Sequence, residues 1–403
     1  MSEPTMSEPT EPARSQRGEG RVIRPLFAAG FVTAFGAHSI AANLGVASPE
    51  DLGRHLFTLG VLLALYDGAE VLLKPVFGSL ADRIGARPVL LGGLAGFALA
   101  SAAFVVVDNP AGLGLARFAQ GAAAAAFSPA AGAMIARIAP DRRRGRAFGS
   151  YGAWKGLGYA LGPLVGGVLV DVGGYRLLFV VLTALALVVA GWAALAVPAL
   201  SPLPRRRQSV IDLARRLSDR AFLAPTAALA AATAALSAGV GFLPIVGIGA
   251  GLGPVATGAA VSVLAATAAL SQPLVGRVRD SGYVGDRMAL VSGLVATAVG
   301  LAVPAVFPDL VGLLVAAVII GFGTGVITPV AFAALAVGSP AGRLGQTMGA
   351  AEIGRELGDA GGPLLVGGLA AGIGLASGFL GLAALIAVVA GGAVAARLAS
   401  RHP

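Results

Sequence analysis

Gly78-Ser79-Leu80-Ala81-Asp82-Arg83-Ile84-Gly85-Ala86-Arg87-Pro88 joins two long apolar runs. A segment with Asp82, Arg83 and Arg87 set between glycines cannot lie in lipid, so it reads as a tight turn at a membrane surface. Gly78 permits close helix approach, and Gly85 supplies a turn conformation open to few other residues. Asp82 is suited to accept hydrogen bonds from the N-terminus of a neighbouring helix, where its charge is favoured.

The rest of the chain agrees with a membrane setting. Of 403 residues, 56% are hydrophobic and 12% charged, about half the charge of a soluble domain. A span needs about 20 mostly apolar residues. Twelve such stretches are present, near 24–45, 56–79, 87–107, 111–138, 147–170, 176–199, 221–246, 253–275, 287–307, 310–336, 345–371 and 376–397. The 60 glycines suit helices packed through small side chains. The expected fold class is an all-α membrane protein with twelve transmembrane helices.

The net charge of +9 does not mark a nucleic-acid binder. With the N-terminus inside, 23 of the 29 Lys and Arg residues fall in cytoplasmic segments, Arg54 and Arg176 fall outside, and four lie within helices. That is the positive-inside pattern, and it predicts both termini in the cytoplasm of an inner (plasma) membrane protein. The chain has no cysteine, which removes disulfides and thiolate metal sites. Lys74 and Lys155 are the only lysines and neither follows a glycine, so there is no Walker loop. His38, His55 and His402 lack metal-ligand spacing. No enzyme, cofactor or metal site is expected.

The chain repeats at an offset of 200 residues. Gly158, Gly162, Pro163 and Gly167 match Gly358, Gly362, Pro363 and Gly367; Gly121 and Pro129 match Gly321 and Pro329; Arg87 matches Arg287. Gly78 and Asp82 match Gly276 and Asp280 with a slip of two, in a second loop that is stretched and degenerate. The organisation expected is a disordered tail 1–21, a six-helix half 22–199, a polar linker 200–220, a second half 221–397 and a tail 398–403. In the linker Val210, Leu213, Ala214 and Leu217 form one apolar stripe opposite a basic face, as in a helix lying on a membrane surface.

Three motifs resemble the major facilitator superfamily, and the resemblance covers about residues 22–400. The Gly78–Arg87 loop is similar to the signature between helices 2 and 3, which latches the outward-facing state. Leu115-Ala116-Arg117-Phe118-Ala119-Gln120-Gly121 resembles the fourth-helix Arg-x-x-Gln-Gly pattern linked to proton transfer. Many relatives pair that Arg with an acid in helix 1; here helix 1 offers only His38. Gly158-Tyr159-Ala160-Leu161-Gly162-Pro163-Leu164-Val165-Gly166-Gly167 resembles the fifth-helix signature of the twelve-helix drug:proton antiporter branch. Glycines four apart make a flat packing face, and Pro163 removes a backbone donor, so a kinked interface between halves is expected. The gating set is therefore Gly78, Asp82, Arg83, Gly85, Arg87, Gly158, Gly162, Pro163 and Gly167.

Buried charges supply the remaining candidates, since an ionisable residue inside a span needs a partner and usually a role. The second helix carries Asp67, Glu70 and Lys74 on one face; the eleventh carries Glu352, Arg355, Glu356 and Asp359. Glu70 and Arg355 lie at matching depths, about 12 and 13 Å from their loop ends. In the resembled fold these helices are neighbours, so Asp67 or Glu70 with Arg355, and Lys74 with Glu352, are the expected pairs. Proton coupling is assigned to Asp67, Glu70, Glu356, Asp359 and Arg117. Lys155 stands out because its expected neighbour, the eighth helix, has no charge over 253–275. It is assigned to the substrate site with Arg355, Tyr159, Tyr151, Trp154, Tyr66 and His38.

These assignments predict a monomeric secondary transporter that exports amphipathic or drug-like molecules against protons, with a small-molecule substrate, protons and the bilayer as its partners. The alternative is an organic-anion or metabolite carrier using Lys155, Arg355 and Arg117. A third reading is a non-transporting scaffold or sensor, which has no need of charges at the midplane.

Overall fold

The computed structural model describes residues 11–43, 52–107, 109–201, 219–340 and 342–399. They form helices: α1 (Glu11–Asn43), α2 (Leu52–Ile84), α3 (Ala86–Val106), α4 (Pro110–Ile138), then a 3-10 turn Asp141–Arg143. Helix runs on from Arg144 to Ala196, interrupted where Gly173 (φ −145°, ψ 19°) and Gly174 (φ 67°) leave helical geometry. The break makes two helices, α5 (144–172) and α6 (175–196), and only glycine accepts the positive φ cheaply. The second half contains α7 (Arg220–Gly249), α8 (Pro254–Asp280), α9 (Asp286–Val306), α10 (Leu310–Val337), α11 (Leu344–Ile373) and α12 (Leu375–Ala399). Among the described residues, eight helical segments qualify as spans by length and apolarity alone.

The 200-residue repeat is visible as packing. Gly158 and Gly162 of α5 sit against Phe31 and Phe35 of α1; a Cβ on Gly158 would lie 2.6 Å from the Phe31 carbonyl. Gly358 and Gly362 of α11 sit against Ala230 and Ala234 of α7. Arg87 of α3 donates to the Ala194 carbonyl of α6 at 2.7 Å, and Arg287 of α9 donates to the Ala393 carbonyl of α12. The same repeat corrects one expectation: the α5 glycine face builds the α1 contact within one half, not the contact between halves. Pro163 stays within helical dihedrals, and the break falls at Gly173–Gly174 instead.

The halves meet along two seams, α2 against α11 and α5 against α8, with α4 and α10 behind them. Phe148 of α5 and Phe332 of α10 stack across the junction, with ring centroids 5.6 Å apart. The tail boundary placed at residue 21 falls inside α1, which begins at Glu11. Residues 1–10, the linker stripe at 210–217 and residues 400–403 lie outside the described residues. At the end of that linker Asp219 caps α7, accepting from the Ala221 N–H at 3.0 Å.

Candidate functional site

Both seams are clasped at one face of the bundle by the same device. The Asp82 carboxylate accepts from the backbone N–H groups of Gly345 (2.8 Å) and Gln346 (2.9 Å), at the start of α11. The Asp280 carboxylate accepts from Gly145 (2.8 Å) and Arg146 (2.8 Å), at the start of α5. Each places a negative charge on orphan donors at a helix N-terminus. Close approach is what allows it: a Cβ on Gly78 would stand 2.5 Å from the Gly345 carbonyl. Gly85 has φ 100° and turns the chain into α3. Arg83 is exposed beside the clasp. The second loop, degenerate in sequence, keeps the geometry because Asp280 is retained and Arg279 is held by Asp286 at 2.7 and 2.9 Å. This clasped face carries the arginine-rich loops and is called the basic face below.

One to four turns into the bundle from the clasp, the α2–α11 seam is ionic. Lys74, 1% exposed, donates to Glu70 of its own helix and to Glu356 of α11, each at 2.6 Å. One oxygen of Glu352, a residue 2% exposed, faces three cations: Arg355 at 3.0 Å, Lys155 at 3.5 Å and Lys74 at 3.9 Å. Three cations and three carboxylates from α2, α5 and α11 thus close on one another in a setting where an unpaired charge is costly. The α5–α8 seam at the same level is neutral: Gln272 of α8 lies against Gly152 of α5.

Lys74 does reach Glu352, as the spacing predicts. Arg355 does not pair with Asp67 or Glu70; it pairs with Glu352 one turn before it on its own helix, because Lys74 already occupies Glu70. Lys155 is not without an acid. Its four-carbon stem crosses from α5 to Glu352 of α11, a partner missed when only α8 was considered. Glu352, at the centre of the cluster, was expected only as a pairing partner.

Around this cluster the other candidates divide. Arg117, 1% exposed, donates to Gln120 at 2.7 Å, and Gln120 donates to Ser101 of α3 at 3.0 Å. The Arg117 guanidinium lies 4.2 Å over the Tyr66 ring, a cation–π contact, and Tyr66 directs its hydroxyl towards Glu70. His38 is not beside Arg117. Its ring meets Tyr159 edge-on at 4.3 Å, and the Tyr159 hydroxyl is 3.5 Å from Arg355. Tyr151 is buried against Phe27 and Gly30, a packing position. Trp154 is 39% exposed with its edge on Phe31. Gly167 lies one turn beyond Pro163 on α5. Asp67 and Asp359 are exposed, and Ser237 of α7 donates to Asp359. Ser237 and Ser101 carry no sequence signal beyond being polar within apolar runs, whereas Gln120 belongs to the Arg-x-x-Gln-Gly pattern. Among the described residues no His, Asp or Glu grouping fits a metal ion.

Two repeated six-helix halves, clasped at one face and holding opposite charges across the seam between them, define a membrane transporter of two-domain type. The chain belongs to the Major Facilitator Superfamily, whose profile matches residues 26–363 and 242–403. Members of this family are transporters rather than enzymes. The quinolone resistance protein NorA of Staphylococcus aureus is 30% identical over 148 residues, 35% of this chain and 38% of that protein. A probable actinorhodin transporter of Streptomyces coelicolor is 36% identical over 131 residues, 32% of this chain and 23% of that protein. These matches therefore span well under half of either relative. Among solved structures, the human organic anion transporter MFSD10 (TETRAN) superimposes with a TM-score of 0.77 at 18% identity, covering 92% of this chain and 98% of that one. The fucose:proton symporter FucP of Escherichia coli gives 0.74 at 12% identity over 93% and 98%. At such identities these structures speak for the fold alone.

Proposed function

We propose that this protein is a proton-coupled exporter of amphipathic, drug-like molecules working by alternating access. The observation that carries the reading is the ionic α2–α11 seam. Glu356 is paired with Lys74, and Glu352 with the two lysines, only while the two halves are closed at the basic face, whereas Glu70 keeps Lys74 and Glu352 keeps Arg355 within their own helices. Separating α2 from α11 strips Glu356 from Lys74 and Glu352 from both lysines. A carboxylate left in an apolar seam without its cation takes up a proton, so opening and proton uptake are linked. Glu356 is the proton carrier that opening frees in this reading, and Glu70, towards which Tyr66 of the same helix directs its hydroxyl beneath Arg117 of α4, shares Lys74 with it.

The excess of Lys and Arg on the basic face supports placing it, and both termini, in the cytoplasm of a plasma-membrane protein. The clasped state is then outward-facing. A monomer suffices, since both halves lie in one chain. The names of two relatives, a quinolone resistance protein and a probable actinorhodin transporter, support export of drug-like compounds. The organic-anion alternative is weakened by Glu352, which already occupies the counter-ion position beside Lys155 and Arg355.

The test is accumulation of a fluorescent quinolone by proteoliposomes under an imposed pH gradient. Accumulation that collapses with a protonophore, and is lost in Glu70→Gln with Glu356→Gln, is expected. Accumulation indifferent to the gradient in the wild type refutes the coupling.

A further inference from the structure

The internal repeat makes the two seams counterparts, yet one of them is stripped of its charges. Lys74-Pro75 stands four residues before Gly78 and eight before Asp82; Gln272-Pro273 stands at the same spacing before Gly276 and Asp280. The backbones agree. Gly349 of α11 rests on Lys74 and Pro75 of α2, and Gly149 of α5 rests on Gln272 and Pro273 of α8. The partners of Lys74 do not recur: Glu70 is matched by Ala268, Glu352 by Gly152 and Glu356 by Gly156. Lys74 is tied across the halves to Glu356 at 2.6 Å. Gln272, 8% exposed, lies over Gly152, and its buried side-chain oxygen has no hydrogen-bond partner among the described residues.

The surroundings are as unequal. From α2, Lys74 and Glu70 meet Glu356 directly or through one another, and Asp67 lies one turn further on. Glu352, Arg355 and Asp359 flank Glu356 on its own helix, Lys155 of α5 joins through Glu352, and Arg117 of α4 lies over Tyr66. His38 of α1 is the titratable group on the remaining side. About Gln272 the helices are neutral: α8 has no charge over 253–275, α7 none over 221–249 and α10 none over 310–337. Lys155, on the packed stretch of α5, is committed to Glu352 of α11.

We propose that Gln272 makes α5–α8 a proton-silent seam, so that acid opens the basic face askew, wider along α2–α11 than along α5–α8. A proton shifts an equilibrium only when the two states bind it differently. When α2 leaves α11, Glu356 gives up Lys74 and takes a proton from the water entering the gap, while Lys74 keeps its charge on Glu70. Parting α5 from α8 uncovers an amide, which neither gains nor loses a proton. This rests on the proton-coupled reading above and assigns the coupling to one seam.

The test reads each seam separately in the full chain, which has no cysteine of its own. Spin labels at Ile84→Cys and Pro340→Cys, at the end of α2 and before α11, report one seam. Labels at Arg142→Cys and Tyr283→Cys, before α5 and after α8, report the other. Distances are measured by double electron–electron resonance in nanodiscs on stepwise acidification from neutral pH. The longer population is expected to grow more, and to longer distance, at α2–α11 than at α5–α8. Asp82, with Arg137 near it, and Asp280, with Arg279, close their seams alike, so acid acting on the clasps is common to both readouts. Glu356→Gln should abolish the difference between the seams, and Gln272→Leu should preserve it. Equal growth at both seams in the wild type overturns the proposal and leaves the proton-coupled reading standing; no response at either overturns both. A difference lost in Gln272→Leu, or kept in full in Glu356→Gln, also overturns it. Should either variant fail to fold, the wild-type comparison still decides.

Discussion

Replacing Asp82 by Asn, and separately Asp280 by Asn, should release the basic face without unfolding the protein. Each aspartate accepts two backbone N–H groups at a helix N-terminus, at 2.8–2.9 Å. An asparagine keeps one acceptor oxygen, loses the charge, and turns an NH2 group towards the second N–H. Hydrogen bonds to charged groups contribute about 1.5–3 kcal/mol each. Losing one such bond, with the dipole contribution in the same range or smaller, weakens the clasp by roughly 1.5–3 kcal/mol. At about 1.4 kcal/mol per tenfold, the clasped population falls roughly ten- to a hundredfold relative to the open one. The two clasps lie on separate seams, so the double variant should sum the single effects. Because the chain has no cysteine, labels at Arg142→Cys and Tyr283→Cys, one in each half at the basic face, report the distance by double electron–electron resonance. A longer population should appear in each single variant and dominate in the double. Distance distributions identical to wild type in all three refute the latch reasoning.

Three further outcomes follow from the packing and the cluster. Lys155→Ala should express and remain monodisperse, because Glu352 keeps Arg355 and Lys74, yet transport should fall sharply in vesicles. Glu352→Gln leaves Lys155 and Arg355 facing a neutral amide, while Lys74 keeps Glu70 and Glu356, and should cost about 3–5 kcal/mol, seen as a large drop in melting temperature. Gly158→Val should disrupt folding, since its side chain would enter the Phe31 carbonyl, whereas Gly156→Ala, with 3.4 Å to the nearest atom, should leave melting temperature within a few degrees.

The loop from Gly78 to Arg87 carried the fold because each of its residues has one physical use: close approach at Gly78, an acceptor at Asp82, positive φ at Gly85. The α2–α11 seam was expected from the family resemblance, and the matched depths of its charges along the two helices follow from rise per residue alone. Partner choice inside the seam was not legible. Spacing fixes the depth and the helix face of a side chain, not the reach of a lysine to a third helix. Lys155 therefore seemed to lack an acid, and Glu352 seemed one partner among several. The α5 glycines were legible as a packing face, but a flat face does not say which helix it meets, and α1 proved to be that helix. The second clasp was obscured by its stretched loop, although Asp280 alone sufficed to rebuild the contact.

The central claim is that separating α2 from α11 exchanges an ion pair for a proton. It is tested most directly by the reverse flux. Proteoliposomes preloaded with a quinolone and a trapped pH indicator are diluted into substrate-free buffer of the same pH. The account predicts a proton flow opposite to the substrate in the wild type and none in Glu70→Gln with Glu356→Gln, while substrate still leaks downhill through the double variant. Substrate efflux from the wild type with no accompanying pH change, or an undiminished proton flow in the double variant, would contradict it.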